Sequence, residues 1–405
     1  MTILQHQAWI EPHHGVRLLF LARGVRGFGD GFAIIVLPAY LSALGLTPGE
    51  IGFVASASLL GTAAFTLAIG FIAPRFDLRT LLLVGGGLMA ATGIAYLSAQ
   101  QFVIVALVAF VGTVNPSTGD LGVLIPIEHA MLAQNAADED RTHIFARYSL
   151  IGALSMAAGS LAAAVPDLLV RAGFDRTGAF QIMFYAYAAL GLVSAVIYTR
   201  LPRAHMQART AAPLGPSRGV VYKLAALFSI DAFAGGFVVQ SLLVLWLFQR
   251  FDMSLAEASV FFFWASTLSA FSYPAAARIA KRIGLVNTMV FTHIPSSLFL
   301  ILAAFSSSLP LTLGLLLARS ALSQMDVPTR TSYVMAVVTP PERPAAASVT
   351  AVPRSLASSL SPTLGGMLLT TSFSGLPLVI CGALKIIYDV ALLFSFRHVK
   401  PPEEV

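Results

Sequence analysis

The stretch Thr47-Pro48-Gly49-Glu50 recurs 207 residues later as Ser254-Leu255-Ala256-Glu257. Each stretch precedes a long apolar run, and each has a hydroxyl residue three positions before a glutamate. That spacing is typical of a capping box, in which the two side chains bond free amides at a helix start. The repeat therefore predicts two helices that begin at matching places in two halves of the chain.

Further charged residues repeat at nearly the same offset. The pairs are Arg75 with Arg282 and Arg147 with Arg354, each 207 residues apart, and Asp120 with Asp326, 206 residues apart. Four matches in register indicate an internal duplication.

The composition indicates a membrane protein. Hydrophobic residues make up 57 % of the 405 residues and charged residues 11 %, whereas soluble domains carry roughly 25 % charged residues. The net charge of +6 does not indicate nucleic acid as a partner, because the basic residues cluster between apolar runs. The single cysteine, Cys381, excludes a disulfide framework and a cysteine-based metal site. No nucleotide-binding loop or hydrolase motif is present, so we predict no cofactor, no metal site and no enzyme activity.

Apolar runs long enough to cross a bilayer, about 20 residues each, divide the chain into twelve predicted spans. The spans are 17–44, 51–73, 79–98, 101–125, 144–165, 178–199, 220–248, 255–276, 285–306, 309–335, 345–370 and 375–396. Glycine, proline and serine interrupt spans four, ten and eleven. With the duplication, this predicts an all-α integral membrane protein of twelve transmembrane helices in two six-helix pseudo-symmetric bundles. Residues 1–199 would form the first bundle, 200–219 a cytoplasmic linker and 220–405 the second bundle.

Basic residues in the loops predict the orientation, because cytoplasmic loops carry an excess of lysine and arginine. One side has only Arg171, Arg176 and Arg250. The other side collects Arg75, Arg79, Arg141, Arg200, Arg203, Arg209, Arg218, Arg278, Lys281, Arg282, Arg343, Arg397 and Lys400. We therefore expect both termini and the linker in the cytoplasm. Arginine far outnumbers lysine, which is typical of GC-rich bacterial genomes, so we expect a bacterial inner membrane.

The loop between spans two and three carries a recognisable motif. It contains Gly70, Arg75 and Arg79, with Pro74 where an acid is usual and Asp77 where a second glycine is usual. With twelve spans, a duplicated half and a basic central loop, this resembles the major facilitator superfamily over nearly the whole chain. The glycine–proline motif of its drug–proton antiporters is not matched in span five, so no subfamily is indicated.

The resemblance implies a fold and a set of roles. In this superfamily spans one, four, seven and ten line a central cavity, and the loop after span two acts as a charge latch on the cytoplasmic side. The resemblance thus assigns gating to four residues, namely Arg75, Asp77, Arg79 and Arg282. It also implies a small-molecule substrate, no cofactor and a monomer in the lipid bilayer.

Charged residues inside the spans are the candidate functional residues, because even an insertion scale puts a central Asp at about 3 kcal/mol. Those predicted to bind substrate or to couple protons are Asp30, Asp120, Asp231, Asp326, Arg26 and Arg319. The four-residue spacing of Arg26 and Asp30, and that of Lys385 and Asp389, allows an ion pair within one helix. The Arg26–Asp30 pair could equally be structural, and for Lys385–Asp389 we favour the structural role.

These observations predict a secondary transporter working by alternating access, with proton-coupled efflux of a small organic solute as the expected activity. Efflux follows only from the frequency of exporters in the superfamily. Two alternatives remain open. One is a ferroportin-like metal-ion exporter, suggested by Gly29-Asp30 in span one. The other is a non-transporting membrane sensor or assembly protein on the same fold.

Overall fold

The computed structural model describes residues 14–117, 122–135, 141–205 and 214–397. Within these ranges the chain forms sixteen α-helices and no β-strand. The helices are α1 (His14–Ala43), α2 (Pro48–Ile72), α3 (Leu78–Ser98), α4 (Phe102–Val111), α5 (Ile125–Asn135), α6 (Arg141–Ala162), α7 (Val165–Arg171), α8 (Arg176–Thr199), α9 (Arg218–Gly236), α10 (Gln240–Phe251), α11 (Leu255–Ile283), α12 (Leu285–Phe305), α13 (Leu309–Leu322), α14 (Asp326–Ala336), α15 (Arg343–Leu368) and α16 (Leu376–Phe396).

Eight helical segments of the described chain are long and apolar enough to cross a membrane. They match predicted spans two, three, five to nine and twelve. The other four spans coincide with α1, with the pairs α4–α5 and α13–α14, and with α15. Of these segments, α1 carries buried charges, the two pairs are broken helices, and α15 is rich in serine. For these reasons they are less uniformly long and apolar than the other eight. The predicted all-α integral membrane fold is confirmed.

Span four is broken where glycine and proline interrupt it, and it extends beyond the predicted bounds of 101–125. Its first part, α4, ends at Val111, and its second part, α5, runs from Ile125 to Asn135. Pro116 has no amide to continue the helix, and polar side chains satisfy the freed backbone instead: Thr92 accepts the Thr113 amide at 3.3 Å. Span eleven, predicted over 345–370, is one continuous helix, Arg343–Leu368, despite Pro353 and Pro362.

Both predicted capping boxes are present. The Glu50 carboxylate accepts the Thr47 amide at 2.8 Å, and the Glu257 carboxylate accepts the Ser254 amide at 2.8 Å. The two hydroxyls accept the amides of Glu50 and Glu257 in return. The duplicated stretches therefore start α2 and α11, which match the second predicted span of each half.

Helix packing repeats between the halves. In the first half α1 packs on α6 and α3 on α8; in the second half α9 packs on α15 and α12 on α16. Two further contacts, α2 with α15 and α6 with α11, join the halves. The internal duplication thus extends from sequence to tertiary packing.

The hydrophobic cores show which end of the molecule is closed. One cluster contains Tyr40, Phe184, Trp246 and Leu316, so both halves contribute to it. At the other end, next to the linker, the first half has its own cluster around Leu82 and the second half another around Leu224, Tyr388 and Leu392. We call these the shared-core end and the linker end. The halves are packed together at the first and separate at the second.

Each described end of the linker is anchored to the neighbouring half. The Asp77 carboxylate caps α3 and accepts the Ala204 amide at 2.7 Å. The Glu342 carboxylate accepts the Ser217 hydroxyl at 2.7 Å and also the Gly215 amide. Hydrogen bonds from Thr339, Ser217 and Gly215 lower the pKa of the Glu342 carboxyl to about 2.

Candidate functional site

A central cavity of about 270 Å³ lies between the halves. Its floor, toward the shared-core end, includes the buried side chains of Leu243, Phe261 and Phe262. Its walls combine polar and apolar groups, and ten of the described lining residues are serines. Such a lining suits a hydrophilic solute better than a lipophilic one.

Asp231 on α9 lies in the cavity wall and holds two cations. Its Oδ1 accepts a hydrogen bond from Nζ of Lys385 on α16 at 2.6 Å, and its Oδ2 accepts one from Nη1 of Arg330 on α14 at 3.0 Å. All three side chains are largely buried. The cluster joins three helices of the second half, and each charge is compensated by the others.

A histidine that also lines the cavity, His293, connects this cluster to a second acid. Nζ of Lys385 lies 3.3 Å from Nε2 of His293, whose Nδ1 lies 3.0 Å from Asp389. Asp231 is thereby connected to Asp389 through Lys385 and His293. The expected pair between Lys385 and Asp389 within one helix is wrong, because each bonds a residue on another helix.

Asp326 and Arg319, both predicted site residues, take separate positions. Asp326 forms an ion pair with Arg330 one turn along α14, at 3.2 Å. Arg319 on α13 lines the central cavity. Asp326 therefore belongs with the Asp231 cluster, and Arg319 faces the cavity apart from it.

Arg26 also differs from expectation. Its guanidinium bonds the fully buried carboxylate of Glu128 on α5, which also accepts the hydroxyls of Tyr148 and, at 2.6 Å, Tyr198. The described residues include no ion pair between Arg26 and Asp30. Glu128 was not predicted as a site residue, although an acid inside the apolar run 122–132 was a usable signal.

Asp30 lies beside the broken fourth span. Its Oδ1 accepts the Tyr187 hydroxyl at 3.2 Å, and that hydroxyl lies 3.0 Å from the Thr113 hydroxyl. A second pocket of about 30 Å³ is lined by Asp30, Arg26 and Asn115. The first half thus has its own polar site, smaller than the central cavity.

The predicted gating residues lie at the linker end. Arg75 and Arg282 are exposed, Arg79 is half-buried, and none of them forms an ion pair within the described ranges. Asp77 caps α3 and bonds the linker instead of an arginine. Their part in gating stays a prediction.

The structure brings some of the predicted residues together. Asp231 and Arg319 line the central cavity, Arg26 and Asp30 line the smaller pocket, and Asp326 reaches Asp231 through Arg330. Asp120 lies outside the described residues. Four residues of these clusters were not predicted from the sequence as site residues: Arg330, His293, Lys385 and Glu128.

Comparisons with known proteins agree with this architecture. The chain matches the sequence profile described as Major Facilitator Superfamily over residues 19–248 and 224–405. It is 25 % identical over 423 residues to an uncharacterized membrane protein of Saccharomyces cerevisiae, covering 95 % of this chain and 94 % of that protein. Among solved structures it is similar to the inward-open xylose transporter XylE from E. coli, with a TM-score of 0.74 at 14 % identity, covering 95 % and 97 % of the two chains. It is also similar to the nucleoside transporter NupG, with a TM-score of 0.73 at 14 % identity, covering 95 % and 100 %.

Proposed function

Because the chain belongs to the Major Facilitator Superfamily and is therefore a secondary transporter, we propose that it exports a small organic solute by proton-coupled alternating access. Residues 1–199 and 220–405 are the two bundles that move, joined by residues 200–219. The observation that carries the proposal is the cavity between halves that share a core at one end only.

The contacts at the shared-core end support a rocking motion. Among the described residues, four hydrogen bonds join the halves there. The Ser56 hydroxyl accepts the Thr363 hydroxyl at 2.8 Å and the Thr363 amide at 3.1 Å. The Asp167 carboxylate accepts the Ala256 amide at 3.1 Å, and the Pro116 carbonyl accepts the Ser241 amide at 3.2 Å. So few polar bonds can be exchanged for new ones at the linker end at modest cost. The observed state is the one open at the linker end.

Proton coupling is supported by the position of Asp231. Protonation would remove its negative charge and release Lys385 and Arg330 from it, so a proton would change the charge of the cavity wall. Asp326 acts on the same cluster through Arg330. In the first half Asp30, Arg26 and Asp120 are proposed as the corresponding group.

Gating is proposed at the linker end. Arg75, Asp77, Arg79 and Arg282 lie there, and arginines without an acidic partner in the open state are available to form ion pairs when that end closes. The basic loops at this end support a cytoplasmic location for it. We therefore propose an inward-facing state in a bacterial inner membrane, with both termini in the cytoplasm and a monomeric protein.

Cysteine labelling tests alternating access without knowledge of the substrate. In a Cys381→Ser background, Ser358→Cys places one thiol in the cavity wall. We expect a membrane-impermeant thiol reagent to label it from either side of oriented vesicles. Adding Ser56→Cys and Thr363→Cys should form a disulfide between the halves that abolishes labelling from the shared-core side only, and reduction should restore it. A cavity that is never labelled from the shared-core side would contradict alternating access and favour the non-transporting sensor.

No observation favours the metal-ion exporter. Among the described residues, no group of three or more His, Cys, Asp or Glu side chains is placed to hold a metal ion.

A further inference from the structure

The charges around the central cavity are unequal. Its described lining carries four cations, Arg23, Arg319, Arg354 and Lys385, and one carboxylate, Asp231. Lys385 is compensated by Asp231 at 2.6 Å. Arg23 packs over the Tyr148 ring and has a further partner. Arg319 and Arg354 are the two lining cations that remain without a partner of opposite charge among the described residues.

Both arginines line the cavity, and no described acidic side chain forms an ion pair with either of them. The buried Nε of Arg354 has no hydrogen-bond partner. Neither guanidinium forms an ion pair with any described carboxylate, and both helices that carry them, α13 and α15, border the cavity. Arg330 repels Arg354, whereas Asp231 and Asp326 attract it without forming an ion pair with it. A guanidinium that has no directly paired acid in a membrane interior is costly, so its retention in a cavity wall points to a ligand of opposite charge.

The rest of the lining limits what that ligand can be. The ten serines, with Gln240 and Gln324, offer hydroxyl and amide groups that suit a hydroxylated skeleton. The volume of about 270 Å³ lies just below the range of roughly 300–1,000 Å³ typical of drug-sized ligands. The cavity therefore fits a metabolite-sized polar molecule.

We propose that the substrate is a small, hydroxylated organic anion whose carboxylate or phosphate group binds Arg319 and Arg354. The guanidinium plane suits this role because it bonds oxyanions through two parallel N–H groups. The serine-rich wall would then bond the remainder of the molecule. This assignment rests on the proposed transport function, since it names the substrate class of the same cavity.

Ligand-dependent thermal stability of the purified full-length protein tests the assignment. The probes are gluconate, inorganic phosphate and glucitol, which has the gluconate skeleton without its carboxylate. The variants are Arg319→Gln and Arg354→Gln, with Arg278→Gln as the matched control because Arg278 is exposed and lies outside the cavity lining. Chloride at equal ionic strength is the reference. General salt effects on stability act equally on all four proteins.

We expect gluconate and phosphate, but not glucitol, to raise the melting temperature of the wild type and of Arg278→Gln. Each cavity variant should bind these anions about tenfold or more weakly, as expected for losing a charged hydrogen bond. Without ligand, Arg354→Gln should be at least as stable as the wild type, whereas Arg330→Gln, which breaks two ion pairs, should be less stable.

Three results would overturn the proposal: no anion-dependent shift in the wild type, an equal shift with glucitol, or an undiminished shift in either cavity variant. Anion binding in detergent requires no alternation between states. A failure here therefore leaves the labelling experiment untouched, and a failure of labelling leaves this measurement intact.

Discussion

At the residue scale, the decisive feature is that buried charges are compensated by residues on other helices. Asp231 holds Lys385 and Arg330, and Glu128 holds Arg26. Breaking a buried ion pair by removing one partner leaves the other charged and desolvated, which costs several kcal/mol. Stability therefore depends on side chains that include Asp231 and Arg26, for which we propose a role in transport.

Asp231→Asn should destabilise the protein by about 3–5 kcal/mol, because Lys385 and Arg330 lose their shared carboxylate. Unfolding of the detergent-solubilised protein, followed by size-exclusion chromatography after heating, measures this. The double variant Asp231→Asn, Lys385→Met should recover part of the loss, since one unpaired cation is removed. A single variant as stable as the wild type would show that the cluster adds nothing to the fold.

The sequence located these charges better than it paired them. Asp30, Asp231 and Asp326 were identified because an acid in an apolar run is unusual. The predicted ion pairs were wrong because a four-residue spacing identifies only partners within one helix. The observed partners are far apart in sequence: Arg26 and Glu128 are separated by 102 residues, and Asp231 and Lys385 by 154. Which face of a helix meets which neighbour is decided by tertiary packing.

At the element scale, the close approach of α2 and α15 holds the shared-core end together. A Cβ added at Gly52 would lie 2.3 Å from the Pro362 carbonyl oxygen, and one at Gly366 would lie 2.1 Å from the Pro48 carbonyl oxygen. Small residues allow helix backbones to pack this closely in membranes. This contact is one of the two main ones between the halves.

Gly52→Ala should force α2 and α15 apart and shift the protein away from the state open at the linker end. Labelling of Ser358→Cys from the shared-core side should then become faster. Gly87→Ala is the matched control, because a Cβ at that position of α3 meets nothing within 4 Å. It should leave labelling unchanged and stabilise its helix by roughly 0.5–1 kcal/mol. Equal labelling in both variants would contradict the role of the glycine contact.

The loop before α15 provides a pH-dependent prediction. The folded-state pKa of Glu342 is about 2, below its ordinary value of 4.5, so the ionised carboxylate stabilises the fold above about pH 4.5 and that contribution is lost as the pH falls toward 2. Glu342→Gln should therefore lower the melting temperature at pH 7, with the difference from wild type shrinking below pH 4.5. A difference independent of pH would show that the charge of Glu342 is immaterial.

At the scale of the whole molecule, the duplication was readable in the sequence and the conformational state was not. Repeated capping boxes and arginines reported the two halves because they recur in register. The state open at the linker end depends on a balance between two packed arrangements that differ by a few kcal/mol. No local pattern of residues records such a balance.

The orientation is testable by reporter fusions. Fusions after residues 210 and 405 should be active only with a reporter that works in the cytoplasm, because the orientation that we propose from the basic loops puts both positions on that side. Reporter activity on the opposite side at both positions would reverse the orientation and make the observed state outward-facing.

Gating is testable with Arg75→Ala and Arg282→Ala. If these arginines form ion pairs when the linker end closes, each variant should favour the state open there. Labelling of Ser358→Cys from the shared-core side would then slow. Unchanged labelling rates in both variants would show that these arginines have no part in gating and only determine the orientation of the protein in the membrane.

The anchoring of the linker sets a mechanical limit on the motion. Ala204 is fixed to the first half and Gly215 to the second, and eleven residue steps separate them in the chain. A polypeptide extends by at most about 3.6 Å per residue, so the contour length between the anchors is roughly 40 Å whatever path the chain takes. As long as both anchors hold, the covalent chain therefore limits how far the halves can separate at this end. Deletions within 205–214 would lower that maximum separation.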